Sequence, residues 1–539
     1  MDSYPDLELD SLDRGANPKE LASGIGSVFS LSNQPENGTT LARTQNGSGC
    51  LPAKLPKEAL SAIFANIVFD RDSDGSNLLS MEQEVRLIYC RIYGLAGVCL
   101  TWRKILMTEG VFWSVIPMIA RPSTANQAPF RLCLQQAERY KLHLAAAIAL
   151  SNPHGDLVDV LTKHGPRFHA INLSAGKRKV IRDAISALLQ HNASVSLSKL
   201  SIQFINTSDM DEMLPRNSDY LFPRKSPHCY SFTRLVETLS AFHIRGMPIH
   251  NIAFSSRLVE LQIGDINLGY DKKVIPFLQA LSSASELRDL KLMSVSTLHR
   301  PDITPDMVGA FPAVAFPKLQ SLHLQDLYFN TLEFLLPMIA PGSYSTTLFL
   351  TPKTVWVNIL EEDEFAHEFV HDCEINRVAW LCDVLKITPV DTLMMSGYPD
   401  GSWFSEELLH HLLNALPGLK TLKIDNWVFR GPVWNDLKQS QNTRRILPSQ
   451  FPALERLILT STTIRNMDGF QEMLAIHPLQ QVVLGVTVET VRPGGTHQTE
   501  SLNEGSNIVA WLMKNVPDFR LVDSHYSPSE FRFGMWQLW

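Results

Sequence analysis

The sequence has few cysteines, and none is placed to pair with a close neighbour. Seven cysteines are scattered from Cys50 to Cys382, an odd number without a Cys-x-x-Cys pair. A disulfide framework and a zinc ribbon both need regularly spaced cysteines, so the sequence supports neither. We therefore expect a reducing, intracellular compartment, cytoplasmic and/or nuclear.

Long apolar runs and an excess of basic charge are also missing. No segment approaches the roughly 20 apolar residues that span a bilayer, so we expect no membrane partner. The first residues, MDSYPDLELD, are acidic where a secretory signal needs a basic start. The formal net charge of −7 gives no support to a nucleic-acid surface. The one compact basic run, Gly176 to Lys179, is predicted to begin a solvated helix, with a localisation signal as the alternative.

Catalytic motifs are nearly absent. The sequence contains no P-loop, no paired-glycine dinucleotide fingerprint and no Gly-x-Ser-x-Gly elbow. HEFVH, from His367 to His371, matches the His-Glu-x-x-His pattern of zinc proteases. On a helix both histidines would face solvent with Glu364, and Arg377 stands where a close third ligand would be needed. We predict no catalytic residue, no metal and no cofactor; a zinc hydrolase and an acidic docking patch for a basic target are the alternatives.

The loop FDRDSDG has the acidic alternation of a calcium-binding loop. Asp70, Asp72, Asp74 and Ser76 could offer four oxygen ligands to one cation. The twelfth loop position, which should hold a bidentate Glu, is Met81. We therefore predict a solvated turn, with a calcium site as the alternative.

What the sequence does contain is a recurring apolar pattern. Hydrophobic residues make up 45% of the 539 residues and charged residues 19%, which is typical of a folded protein. Beyond Phe130, helical and strand-like segments alternate, and several strand-like segments begin about 29 to 35 residues apart. This period predicts an array of stacked units, an α/β solenoid. Five segments share the motif L-x-x-L-x-[LI], which begins at Leu258, Leu287, Leu319, Leu419 and Leu454.

The array resembles the leucine-rich repeat family over about three quarters of the chain. The Asn or Cys that this family often places after the motif is replaced here by Ile266, Val295, Leu327, Trp427 and Thr462, so the repeats are irregular. Side chains that alternate away from the leucines should line the face that binds a target protein. These predicted target-binding residues are Gln262, Lys291, Met293, His323, Gln325, Lys423 and Asp425.

A second resemblance lies before the array. LPKEALSAIF at Leu55 to Phe64, VCLTWRKI at Val98 to Ile105 and FWSVI at Phe112 to Ile116 resemble, in this order, the F-box pattern of fungal-type F-box-like proteins. Ala59 and Leu100 depart from that pattern. The resemblance implies a small three-helix domain that docks on the Skp adaptor of a cullin-based ubiquitin ligase. The predicted adaptor contacts are Leu55, Pro56, Leu60, Ile63, Val98, Trp102 and Ile105; the alternative is that several of them hold the three helices together.

The sequence thus divides into four predicted parts. Residues 1–50 form a disordered N-terminal tail, 51–118 the F-box-like domain, 119–525 the leucine-rich-repeat solenoid, and 526–539 an aromatic C-terminal cap or tail. The segment EFRFGMWQLW is predicted to seal the last repeat, with a path across the strand face as the alternative.

These patterns together favour a non-catalytic function. We expect the substrate-recognition subunit of a Skp-cullin-F-box ubiquitin ligase, whose partners are a Skp-family adaptor, the cullin ligase core and an unknown target protein. The alternative is a leucine-rich-repeat scaffold that acts outside any ligase.

Overall fold

The computed structural model describes most of the chain beyond residue 54. The N-terminal tail, most of the acidic loop and the HEFVH motif lie outside the described residues, so the predictions made for them stay predictions. The described residues are 55–70, 79–119, 127–148, 155–190, 196–205, 214–250, 253–299, 313–359, 374–397, 401–403, 405–429, 434, 452–491, 497–531 and 538.

Three α-helices open the described part of the chain. Ser80 caps the second, because its hydroxyl accepts from the Gln83 amide at 3.3 Å while the Gln83 side chain accepts from the Ser80 amide at 3.0 Å. The Trp102 ring lies 4.7 Å from the Phe64 ring and joins the third helix to the first. The helices are α1 (Lys57–Val68), α2 (Met81–Val98) and α3 (Leu100–Thr108), and a short 3-10 turn (Gly110–Trp113) follows them.

The rest of the described chain is built on one sheet of 16 strands. Neighbouring strands follow chain order from β1 to β11 and continue through β13, β14 and β15; β12 pairs with β13, and β16 with β14. Every pair is parallel except β14 with β15. The strands are β1 (Val115–Ile119), β2 (Leu142–Ile148), β3 (Phe168–Ala175), β4 (Lys199–Phe204), β5 (Ala241–Arg245), β6 (Glu260–Tyr270), β7 (Asp289–Leu298), β8 (Ser321–Gln325), β9 (Ser345–Leu350), β10 (Thr392–Ser396), β11 (Thr421–Asp425), β12 (Val428–Phe429), β13 (Arg456–Ile464), β14 (Gln481–Val491), β15 (His497–Ser501) and β16 (Asp518–Leu521).

Helices supply most of the connections between these parallel strands, as parallel pairing requires a crossover. The sheet with its connecting helices confirms the predicted α/β class and the stacking of units in chain order. The helices are α4 (Gln127–Gln136), α5 (Gly155–His164), α6 (Arg178–Gln190), α7 (Pro227–Val236), α8 (Val274–Leu281), α9 (Phe329–Leu335), α10 (Glu374–Leu385), α11 (Glu406–Asn414), α12 (Met467–Ile476) and α13 (Asn507–Asn515).

The leucine motif supplies the buried side of the sheet. Leu261 lies beside Leu290, and Leu290 beside Leu322, and all three are at most 1% exposed. One continuous core runs from Leu60 on α1 through the sheet. The first strand already begins at Val115, inside the segment that the sequence assigns to the three-helix domain, so the opening helices and the sheet share their apolar interior.

Several strands carry a non-glycine residue in the left-handed region directly after the buried motif. Asp265, Ser294, Asp326, Asn426 and Ser461 have φ between 48° and 54°. Asp and Asn tolerate this conformation because their short polar side chains form local hydrogen bonds. Ser294 Oγ donates to Asp326 Oδ2 at 2.7 Å, which links two of these positions across neighbouring units. This polar link stands near the place where the usual Asn or Cys ladder is missing.

Candidate functional site

The strand face is the side of the sheet opposite the leucine core, and its side chains form rows across neighbouring strands. Gln262 lies beside Lys291, Lys291 beside His323, and His323 beside Thr347. Parallel strands stand about 4.8 Å apart, so side chains in one row are direct neighbours. The structure therefore brings together three of the predicted target-binding residues.

Lys423 belongs to the next row along the strands. β9, β10 and β11 set Phe349 beside Met394 and Met394 beside Lys423. The same row continues on the other side with Gln325 and then Met293. Alignment of the leucine motifs would place Lys423 in the row of His323. The observed pairing of β9 with β10 shifts Lys423 by two residues, into the row of Phe349 and Met394.

Burial differs among the predicted target-binding residues. Gln325 and Asp425 are buried, at 7% and 6% exposure, and the others are half-buried. His323 Nε2 lies 3.1 Å from Gln325 Oε1. Burial lowers the pKa of His323 to about 4, and the nearby Lys291 and Lys423 lower it further while the bond to Gln325 opposes the shift. His323 is therefore neutral at physiological pH, and the lysines carry the positive charge of this region.

Sequence reasoning missed the neighbouring part of the face on β5. His243 lies beside Gln262 in the first row, and its Nε2 lies 2.7 Å from Glu260 Oε1. Arg245 forms an ion pair with Asp265. β5 lacks the leucine motif, so only the alternation Phe242, His243, Ile244, Arg245 could have indicated it.

The C-terminal segment crosses the strand face. After β16 the chain turns back, and the Ser461 hydroxyl donates to the Tyr526 carbonyl at 3.4 Å. Ser527 Oγ donates to Asp425 Oδ2 at 3.0 Å. Lys423 Nζ donates to Glu530 Oε1 at 2.8 Å. These contacts lead from β13 to β11, so residues 526–531 lie on the strand face; of the segment EFRFGMWQLW, only Glu530, Phe531 and Leu538 are among the described residues.

Two further contacts extend this path. Phe531 is 4% exposed, and its ring meets the Phe349 ring at 5.4 Å and 83°, with Met394 in the same apolar cluster. Leu538 is 3% exposed, and its amide donates to Glu84 Oε2 on α2 at 3.2 Å. The end of the chain therefore contacts the opening helices as well as the strand face.

The predicted adaptor contacts fall into exposed and buried groups. Leu55, Ile63 and Val98 are 45%, 44% and 61% exposed, and Pro56 is exposed as well. Leu60 and Ile105 are only 5% and 4% exposed. These two residues belong to the core, which fits the alternative that they hold the helices together, and direct adaptor contact by them stays a prediction. Trp102 is half-buried against Phe64.

Two exposed apolar side chains near this group were not predicted as contacts. Ile67 is 42% exposed and lies one helical turn beyond Ile63 on α1. Leu100 is 81% exposed at the start of α3, next to Val98 at the end of α2. The i, i+4 spacing of Ile63 and Ile67 was the available signal. We call Ile63, Ile67, Val98 and Leu100 the helical apolar set.

A buried polar network joins β7 to α9. Asp271 is fully buried and accepts from Thr297 Oγ1 at 2.6 Å and from Asn330 Nδ2 at 2.7 Å, and His299 Nδ1 lies 3.0 Å from its second oxygen. These bonds satisfy a carboxylate that burial would otherwise disfavour. Within the described ranges, no group of three or more His, Cys, Asp or Glu side chains is placed to hold a metal ion.

Fold and site together define an α/β protein whose long parallel sheet presents a side-chain face partly covered by the chain's own C-terminal segment. No helix in the described part of the chain is long and apolar enough to cross a membrane.

No protein-family model matches the chain, and no curated protein matches it. Among solved structures, the crystal structure of a TLR13–ssRNA13 complex is similar over 68% of this chain and 47% of that chain, with 11% identity and a TM-score of 0.30. This chain thus spans about half the length of that protein, and a likeness this weak carries no argument.

Proposed function

We propose that this protein is the substrate-recognition subunit of a Skp-cullin-F-box ubiquitin ligase, with an F-box-like region in its opening helices and irregular leucine-rich repeats in its sheet. The opening helices bind a Skp-family adaptor, and the strand face binds a target protein. The contribution to catalysis is proximity, since the receptor holds its target near a ubiquitin-charged enzyme.

The observation that carries the proposal is the helical apolar set. Its four members are large apolar side chains exposed by 42% to 81% on three packed helices. Ile63 and Ile67 are one helical turn apart on α1, and Val98 and Leu100 are two residues apart where α2 meets α3, so the set consists of two exposed apolar pairs, a feature that we assign to a partner surface. Their positions fall in and beside the segments that resemble the F-box pattern, and this resemblance names the Skp adaptor as the partner.

The test is retention of a purified Skp-family adaptor and cullin core by the full chain. A variant with Ile63→Asp, Val98→Asp and Leu100→Asp should retain at least tenfold less adaptor than the unaltered chain. The matched control makes the same change at three other exposed apolar residues, Tyr230→Asp, Ile387→Asp and Met513→Asp, which are 69%, 57% and 59% exposed, and should retain the adaptor. An unaltered chain that fails to bind the adaptor, or a first variant that binds as well as the control, would overturn the proposal.

A scaffold outside any ligase is the second candidate, and one observation favours it. The opening helices pack into the sheet core: Tyr89 on α2 donates its hydroxyl to the Val115 carbonyl at 2.6 Å, and its ring lies 6.3 Å from Trp113. A helical cap of this kind would protect the first strand without any adaptor. A chain that captures a target on the strand face but never retains the adaptor would identify the scaffold.

A further inference from the structure

The C-terminal segment holds two side chains of different chemistry against the strand face. Glu530 places a carboxylate 2.8 Å from the Lys423 ammonium, and Phe531 packs its ring against Phe349 in a small apolar cluster with Met394. This cluster is separate from the main core of the sheet, which lies on the opposite side. The segment is therefore seated on the face rather than built into the interior.

The receiving residues are arranged as one row on three neighbouring strands. Phe349 on β9, Met394 on β10 and Lys423 on β11 stand side by side in register. Two strand spacings separate the aromatic ring from the ammonium, roughly 10 Å. An acidic residue followed directly by an aromatic residue reaches both groups, because adjacent side chains of one short segment diverge. We call these three residues the acidic–aromatic socket.

The contacts of the segment to the socket are made by side chains. In the described residues, Ser529–Phe531 forms a short 3-10 turn and not a strand of the sheet. Side-chain contacts without a hydrogen-bonded ladder depend on the residue types at two positions more than on the rest of the sequence. A peptide from another protein with the same two residue types could make the same contacts.

We propose that the acidic–aromatic socket is the recognition site for a short peptide segment of a target protein, in which Asp or Glu is followed directly by an aromatic residue. Glu530 and Phe531 occupy the site as an intramolecular ligand, and the target segment displaces them. The inference rests on the proposed function for calling the ligand a target, but peptide binding itself needs no adaptor.

The charge of the socket supports this ligand. Lys291 lies in the adjacent row and makes no ion pair with any described residue, and Lys423 has Glu530 as its ion-pair partner. The Lys423 ammonium beside the apolar cluster, with the Lys291 ammonium two strands away on β7, favours a ligand that combines negative charge with an aromatic ring. His323, between the two lysines, is kept neutral by burial.

The probe for the test is a fluorescein-labelled peptide of the chain's own sequence DSHYSPSEF, Asp523 to Phe531, whose binding is followed by fluorescence anisotropy. In the intact chain the tethered segment competes at an effective concentration in the millimolar range. A full-length Glu530→Ala, Phe531→Ala variant should bind the peptide at least tenfold more tightly than the unaltered chain. Equal affinities of the two chains would overturn the proposal.

Charge reversal provides the specificity control. When Lys423→Glu is added to the Glu530→Ala, Phe531→Ala variant (the opened variant), binding of the peptide should weaken at least tenfold. The resulting chain should bind a peptide with Lys at the Glu530 position more tightly than the original peptide. The matched control, Arg520→Glu, changes an exposed cation on β16 and should leave the affinity unchanged. Binding that ignores the charge at residue 423 would also overturn the proposal.

Folding of the opened variant is checked by thermal unfolding. If loss of the Phe531 ring prevents folding, Glu530→Lys alone, at a half-exposed position, should still raise peptide affinity about threefold; no change would reject the proposal. The same preparations are tested for adaptor retention. Adaptor binding without peptide binding rejects only the present inference, and peptide binding without adaptor binding rejects only the proposed function.

Discussion

Leu60 and Ile63 lie three residues apart on α1, but Leu60 is buried and Ile63 is exposed. The sequence predicts adaptor contact for both residues, and their different burial allows a role in the core and a role in binding to be tested separately. Leu60→Ala should lower the free energy of unfolding by about 2–4 kcal/mol, since it leaves a cavity in the core. Ile63→Ala should change it by less than about 0.5 kcal/mol and weaken adaptor binding instead. Urea denaturation and adaptor pull-down of both variants measure this contrast. Equal destabilisation by the two changes would contradict the burial described for them.

His323 makes the stability of the sheet depend on pH. Its pKa is about 4 in the folded chain against an ordinary value of 6.5, so the unfolded chain takes up the proton first as pH falls. The associated stability is fully present above pH 6.5 and is lost as pH falls towards 4. Burial lowers the pKa of His477 to about 4 as well, and it lowers the pKa values of His164, His169, His243 and His250, so several residues share the effect.

We expect His323→Gln to reduce the acid-dependent loss of stability by about 2 kcal/mol between pH 6.5 and 4. The measurement is urea unfolding at several pH values. His411→Gln, on an exposed position of α11, is the control and should follow the unaltered chain. If the His323 variant loses as much stability in acid as the control, His323 is not buried as neutral imidazole.

At the scale of elements, the five motif strands were predictable because their leucine spacing records which side is buried. β5 and β9 were not, since Phe242 and Ile244, or Leu348 and Leu350, are pairs that many strands and helices could contain. The register of β9 against β10 could not be predicted from the sequence either. This register depends on how the long connection between β9 and β10 positions the second strand, and no local sequence pattern encodes that position.

Substitutions of Asn426 test how much the left-handed backbone conformation after a buried strand matters for stability. Its φ is 53°, a conformation that costs a β-branched residue about 1–2 kcal/mol. Asn426→Val should therefore lower the free energy of unfolding by about that amount, and Asn426→Gly should leave it within about 0.5 kcal/mol. Chemical denaturation of both variants measures their free energies of unfolding and separates the effect of losing the Asn side chain from the effect of backbone strain. Equal destabilisation by Val and Gly would show that the Asn side chain, and not its conformation, matters.

At the scale of the whole molecule, the path of the C-terminal segment is the feature that sequence reasoning left open. The Lys423–Glu530 pair joins residues 107 positions apart, and Leu538 contacts Glu84 across 454 positions. The aromatic composition of the tail indicates that it must be buried, but both an end cap and the strand face offer apolar surface. Only the three-dimensional contacts distinguish these two destinations.

The contact of Leu538 with α2 closes the chain onto its opening helices, and this closure should be visible in their dynamics. Leu538→Ala removes a buried side chain and loosens the bond from its amide to Glu84. Hydrogen exchange of amides in α2 should become severalfold faster, because local opening of that helix then costs less free energy. Amides in α12, which lies near the other end of the sheet order, should exchange as before.

Exchange measured by mass spectrometry on the unaltered and Leu538→Ala chains decides between two kinds of molecule. Repeat arrays in which each unit contacts only its neighbours transmit a terminal change no further than the adjacent unit. A change confined to segments around α13 would therefore mean that the C-terminus is an ordinary end. Faster exchange in α2 would mean that Leu538 stabilises the opening helices, so that displacement of the C-terminal segment also loosens the helices that we propose to bind the adaptor.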